Sequence, residues 1–204
     1  MLNSIKQEIK LLVGETSFSQ LERYVNLIEE KNKVMNLTGF SGEKLWKEGI
    51  LESILTLNFV QKWTKKKENF SLVDIGSGVG FPSIPYLIFN PNIDLTIVES
   101  LQKRCDFLKL VANELGLKFN LVCDRMENVD QKFDILTARA VSSLDKLIKL
   151  TKKNLTSSSI VAFIKGPKIF DEIKAVEKEN FIIEKVNEIE SKNVYVVFNK
   201  KPLI

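Results

Sequence analysis

The sequence predicts an α/β protein: a doubly wound, mostly parallel sheet with an antiparallel C-terminal edge, preceded by a helical extension. Three observations lead there. From Ser71 onward, short apolar runs alternate with helix-period stretches, as strand–helix–strand units require. The first of those runs ends in a glycine-rich turn. The last two runs are separated only by Glu190-Ser191-Lys192-Asn193, too short for a crossover helix, so those strands pair antiparallel.

Residues 1–68 read as helices. Ile5, Ile9, Leu12 and Val13 share one face, and Gly14 is a C-terminal stop. Ser19 and Glu22 have capping-box spacing for a second helix carrying Leu21, Tyr24, Val25 and Ile28. A third, over residues 43–62, aligns Trp46, Ile50, Leu51, Ile54 and Leu55. Lys65-Lys66-Lys67 reads as a solvated connector or an RNA-phosphate contact. Residues 69–204 form the second unit. Its strands are expected at Ser71–Ile75, Leu95–Val98, Phe119–Val122, Phe133–Thr137 and Ile160–Ile164, then Phe181–Ile189 and Val194–Asn199. Leu101, Cys105, Leu108, Ala112 and Leu115 mark a helix closed by Gly116.

Composition narrows the chemistry. With 204 residues, 44% hydrophobic and 27% charged, the chain can bury a core without disulfides or metal. Two cysteines, Cys105 and Cys123, fit a reducing compartment and make a thiolate zinc site implausible. There is no histidine, which removes Ser-His-Asp and Cys-His triads and imidazole acid–base catalysis. A net charge of +4 is compatible with nucleic acid without being diagnostic. No apolar run reaches transmembrane length and the charged N-terminus lacks a signal-peptide core, so the expectation is a soluble, cytoplasmic protein.

The strongest local signal is Asp74-Ile75-Gly76-Ser77-Gly78-Val79-Gly80-Phe81-Pro82. Glycines permit positive φ and let backbone amides approach a ligand, and such a turn sits where doubly wound sheets bind nucleotides. A nicotinamide fingerprint would place its third glycine at position 81, where this chain has Phe. Gly-x-Gly-x-Gly preceded by Asp is the pattern of S-adenosylmethionine (AdoMet) enzymes. Glu99 ends the second strand, where a carboxylate accepts hydrogen bonds from ribose hydroxyls. After the third strand, Asp124-Arg125-Met126-Glu127 offers an acidic loop to an adenine amino group. Lys103, Arg104, Arg125, Arg139 and Lys165 fall at the expected carboxyl ends of strands, where they could hold phosphates or stack on a base.

At these residues the chain resembles the bacterial ribosomal RNA small subunit methyltransferase G family, also called glucose-inhibited division protein B. The matching blocks are Asn36-Leu37-Thr38, Ile50-Leu51-Glu52-Ser53, Asp74 through Pro82, Glu99-Ser100-Leu101-x-Lys103-Arg104, Arg139-Ala140 and Lys165-Gly166. They occur in order over nearly the whole chain. The resemblance implies a Rossmann-like class I AdoMet methyltransferase with a seven-stranded sheet, methylating guanine N7 in 16S rRNA or on a small-subunit assembly particle. It implies a monomer, with no membrane and no metal. Gly76, Gly78, Phe81, Glu99, Met126, Glu127 and Arg139 would line the cofactor site, with Arg139 near the transfer centre. Lys103, Arg104, Arg125 and Lys165 would face RNA. The chain departs from the family at Glu48-Gly49, where Arg-His is usual, and at Ser83, where Gly is usual.

Three rivals share parts of this evidence. An AdoMet enzyme acting on a protein or small molecule needs no basic rim, and salt sensitivity separates it. A nicotinamide reductase predicts stabilisation by NADH. A non-catalytic RNA-binding module predicts affinity without transfer.

Overall fold

The computed structural model describes residues 2–64, 70–176, 180–189 and 192–200. Lys65-Lys66-Lys67 lies outside the described residues. The chain runs α1 (Leu2–Val13), α2 (Glu15–Met35) and α3 (Gly42–Lys44), then a π-helical segment Leu45–Leu51 leading into α4 (Glu52–Thr64). There follow β1 (Ser71–Ile75), α5 (Ser83–Phe89), β2 (Asp94–Val98), α6 (Gln102–Leu115) and β3 (Asn120–Val122). The remainder is β4 (Ile135–Arg139), α7 (Leu144–Thr151), β5 (Ile160–Lys165), α8 (Ile169–Glu172), β6 (Phe181–Lys185) and β7 (Tyr195–Asn199).

Seven strands form one sheet in the order β3-β2-β1-β4-β5-β7-β6. The first five are parallel, and β7 inserts antiparallel to both β5 and β6. The antiparallel C-terminal strand expected at the edge therefore lies inside the sheet. The edge strand is β6, which runs parallel to the first five because it pairs antiparallel with β7. The chain winds outward from β1 to β3, then returns to lay β4 on the other side of β1. The crevice between β1 and β4 is therefore the switch point, where such sheets bind ligands.

Alternation along the strands builds two cores. Leu72, Leu95, Ile97, Ile164 and Phe198 join one with Ile9, Leu21, Ile54 and Phe107 from the helices. Val73, Ile75, Val98, Leu136 and Phe163 join the other with Leu144 and Leu147 of α7. The N-terminal helices pack into the first core. Trp63 of α4 stacks on Phe198 of β7 with ring centroids 4.1 Å apart and planes 5° from parallel.

Several sequence expectations move. Gly14 does end α1, with φ +81°, but α2 begins at Glu15. Ser19 is therefore inside the helix, where its amide already has a helical partner, and no capping box forms. Leu12, expected on the buried face, is 36% exposed. The strand expected at Phe133–Thr137 shifts to Ile135–Arg139, because Asp134 is engaged by the Ser71 hydroxyl instead. The strand expected to run to Ile189 stops at Lys185; Val186–Ile189 is a turn closed by Ile189 N–H on the Val186 carbonyl, 3.2 Å.

Candidate active site

The glycine turn leaves β1 at the switch point. Gly76, Gly78 and Gly80 all have positive φ, at 65°, 67° and 109°. Two of the three also face close neighbours. A Cβ on Gly80 would stand 2.4 Å from Ile84 and 2.9 Å from the Tyr24 hydroxyl, and one on Gly76 would stand 2.8 Å from Val141. Tyr24, buried in α2, donates its hydroxyl to the Val79 carbonyl at 2.7 Å. The helical extension thus braces the turn directly. Burial holds the Tyr24 phenol well above its ordinary range, so it remains a donor.

Beneath the turn, Asp74 is fully buried. Its Oδ2 accepts from the Ser77 and Ser83 hydroxyls, both at 2.6 Å, whereas Oδ1 has no hydrogen-bond partner. Burial pushes its pKa up to about 6, against the opposing pull of those two hydroxyls and of Arg139. Ser83, where the family usually carries Gly, is therefore a ligand of this carboxylate.

Glu99 lies just beyond β2 and is 3% exposed. It accepts from Gly78 N–H through Oε2 and from Leu101 N–H through Oε1, each at 2.9 Å. Two acceptor sites of its four stay open. Arg104 stands 3.7 Å away, so its guanidinium faces this carboxylate. The residues present fit AdoMet: an unpartnered buried carboxylate oxygen for a cation, a turn whose Gly78 has open space beside it, and an acid with acceptor capacity for hydroxyls.

Across the crevice, Arg139 ends β4. Its Nη1 donates to the Glu48 carbonyl at 3.1 Å and lies 3.4 Å from Glu52 Oε1 and from Ser53 Oγ. The guanidinium sits 5.5 Å from the Phe81 ring centre and 6.0 Å from that of Phe40. Burial draws its pKa down, and the Glu52 and Asp74 carboxylates oppose that. Ala140 follows with φ +56°, an uncommon backbone for a residue with a Cβ. This reversal lays Val141 over Gly76.

Arg139 and Val141 also line a cavity of about 720 Å³ at the carboxyl ends of β4 and β5. Phe40, Glu52, Lys165, Gly166, Pro167, Lys168 and Lys192 share its wall. Lys165 is paired with Glu172 at 2.8 Å and donates to the Ser142 carbonyl. Lys192 bridges Glu48 at 2.8 Å and Glu52 at 2.7 Å.

Of the expected site residues, the fold brings Gly76, Gly78, Phe81, Glu99 and Arg139 to one crevice. Phe81 is buried there, edge-on to Tyr24 and near-parallel to Phe40. Met126 is buried in the second core, in a short 3₁₀ turn whose Glu127 is exposed. Arg125 is exposed beside it. Lys103 donates to the Met35 carbonyl at the end of α2. Tyr24, Phe40, Glu52, Ser83, Val141 and Lys192 carry site geometry that the sequence reading had not assigned. The Asn36-Leu37-Thr38 block stands just before Phe40 and the Ile50-Leu51-Glu52-Ser53 block contains Glu52, and these were the available signal. Among the described residues, no helix is long and apolar enough to cross a membrane, and no cluster of His, Cys, Asp or Glu could hold a metal ion.

This sheet order and switch-point site define the class I AdoMet-dependent methyltransferases. The fold is shared with a SAM-dependent methyltransferase from Aquifex aeolicus (TM-score 0.56, 17% identity, 78% of this chain and 98% of that one). It is shared also with an MtNAS variant in complex with S-adenosylmethionine (TM-score 0.60, 17% identity, covering 89% and 76%). The family model described as rRNA small subunit methyltransferase G matches residues 17–198. A ribosomal RNA small subunit methyltransferase G of Mesomycoplasma hyopneumoniae strain 7448 is 51% identical over 198 residues, covering 96% of this chain and 98% of that protein. Its counterpart in Mycoplasma mobile is 46% identical over 193 residues, covering 92% and 86%. The chain belongs to the rRNA small subunit methyltransferase G family.

Proposed function

We propose that this protein transfers the methyl group of AdoMet to N7 of a guanine in 16S rRNA, on the small subunit or a particle assembling into it. It acts as a cytoplasmic monomer, with residues 69–204 as the methyltransferase domain and 1–68 as its helical extension. The observation that carries the reading is the contact of Val141 with Gly76: the cofactor turn and the cavity share a wall at the switch point.

AdoMet, when bound, supplies an electrophilic methyl on a sulfonium. Gly76, Gly78 and Phe81 would form its floor, Glu99 would accept from its ribose hydroxyls, and Met126 and Glu127 would flank its adenosine. Guanine N7 carries a lone pair and no proton at neutral pH, so attack needs no general base. A site in a chain without histidine is sufficient for it. The protein's part is alignment and exclusion of water. Arg139, fixed by Glu48, Glu52 and Ser53, positions cofactor or target phosphate and moves no proton. Lys103, Arg104, Arg125 and Lys165 supply the positive side of the RNA contact.

A salt titration of methyl transfer to small ribosomal subunits tests this. The KM for subunits should climb steeply with salt, because each phosphate contact releases counterions, while the KM for AdoMet stays nearly flat. Transfer to a protein or small molecule with no salt response would overturn it.

A further inference from the structure

We propose that Phe40 is the stacking platform for the target guanine, an assignment that rests on the cavity being the acceptor site. Phe40 is the one aromatic side chain among the described residues lining the cavity. It is half-buried, with its ring 25° from parallel to that of buried Phe81 at 6.1 Å. A purine on Phe40 would extend this stack into the cavity.

The loop that carries Phe40 is built to hold it. Asn36 adopts a left-handed backbone, φ +46°, and ends α2. Asn32 then clamps the next turn: its side-chain oxygen accepts from Leu37 N–H at 2.6 Å and Thr38 N–H at 2.9 Å, and its amide donates to the Thr38 carbonyl at 2.8 Å. Thr38 Oγ1 accepts from Phe40 N–H at 3.2 Å, and Leu37 is buried below. The Lys44 ammonium lies over the ring, 5.1 Å from its centre, so a purine taking that face moves it aside, toward a phosphate of the same nucleotide.

The chemistry asks for such a ring. In A-form RNA guanine N7 lies in a deep, narrow groove that a protein cavity does not enter, so a base delivered to this cavity leaves its stack, and enzymes hold such bases against aromatic side chains. Methyl transfer makes the N7–C bond as the sulfonium C–S bond breaks; the sulfur leaves as a neutral thioether and the base becomes cationic. The two carboxylates on the cavity wall are already engaged by its cations, Glu52 by Arg139 and Lys192 and Glu172 by Lys165. An aromatic face attracts the new positive charge. Phe40 therefore supports both the bound base and the charge it acquires.

The test is steady-state methylation of small ribosomal subunits by wild type, Phe40→Leu and Phe40→Trp, with AdoMet affinity measured by calorimetry on each. Leu keeps the apolar packing on Phe81 and removes the ring. Phe40→Leu should lower kcat/KM for subunits by about tenfold to a hundredfold, the range for loss of one base–aromatic stack, with AdoMet affinity within twofold of wild type. Phe40→Trp should stay within about threefold of wild type for both substrates. A wild type that methylates subunits alongside an equally active Phe40→Leu overturns the stacking role alone. So does a Phe40→Trp variant as impaired as Phe40→Leu. A wild type that binds AdoMet but does not methylate subunits overturns the acceptor reading itself, and the stacking role with it.

Discussion

Asp74 is an ionisable group held where an ion is disfavoured: fully buried, with one oxygen accepting from two serines and the other without a partner. Its folded pKa of about 6 exceeds the ordinary value of about 3.9. Between those values the folded protein keeps a proton that the unfolded chain has released, so stability falls as pH rises through that window. Relative to Asp74→Asn, wild type should lose up to about 1.4 kcal/mol per pH unit between pH 4 and 6. Urea denaturation across that range checks it; a constant difference would contradict it. Gly49 makes a second case. A glycine inside a helix ordinarily gains about 1 kcal/mol on replacement by Ala, but here the added Cβ would stand 2.8 Å from the Phe81 ring, which is hemmed in by Tyr24 and Phe40. Gly49→Ala should instead cost about 1–3 kcal/mol by overcrowding, measured as a lower urea midpoint. Arg139→Lys would lose the guanidinium fork that reaches Glu48, Glu52 and Ser53 together. Cofactor or RNA affinity should fall by about tenfold or more; unchanged kinetics for both substrates would remove its positioning role. The positions of the glycine turn and Glu99 were readable because each follows a strand end that periodicity locates. Arg139 was expected just past a strand ending at Thr137, whereas β4 runs on to Arg139 itself. Phe81's partner at Gly49 was not, because that contact joins residues far apart in the chain.

Between helices, the Asn36–Ser41 loop takes its shape from one side chain. Replacing Asn32 by Ala would remove the acceptor of two backbone N–H groups and the donor to a third backbone group. The expected cost is about 1–3 kcal/mol, together with a lower kcat/KM for RNA and unaltered AdoMet affinity. Denaturation and kinetics on the same preparation separate the two effects. Elements dominated by local periodicity matched expectation closely. β1 falls on the residues its apolar run marks, and α6 ends at Gly116, whose φ of +62° only glycine adopts without strain. Elements decided by competition for backbone partners did not match. Glu15 starts α2 ahead of Ser19, and the π-helical segment Leu45–Leu51 has no sequence mark, since its widened turn leaves the apolar stripe in place.

For the molecule as a whole, strand direction follows from chain logic: parallel strands need crossover helices, and the short final connection makes β6 and β7 antiparallel to each other. Their placement does not follow from it, since β7 enters the sheet between β5 and β6 and leaves β6 at the edge. What the sequence could not reveal is that the helical extension takes part in the site. Tyr24 braces the glycine turn, Phe40 lines the cavity, and Glu48 with Glu52 fixes Arg139 and Lys192. Glu48-Gly49, in place of the family's Arg-His, is thereby accommodated: Glu48 pairs with Lys192, and Gly49 leaves room for Phe81. The most direct measurement is methyl transfer from labelled AdoMet to small ribosomal subunits and to their free rRNA, followed by mapping of the labelled base. The account predicts label at one guanine N7. Bound AdoMet with no label on rRNA, or label on another atom or base, would contradict it.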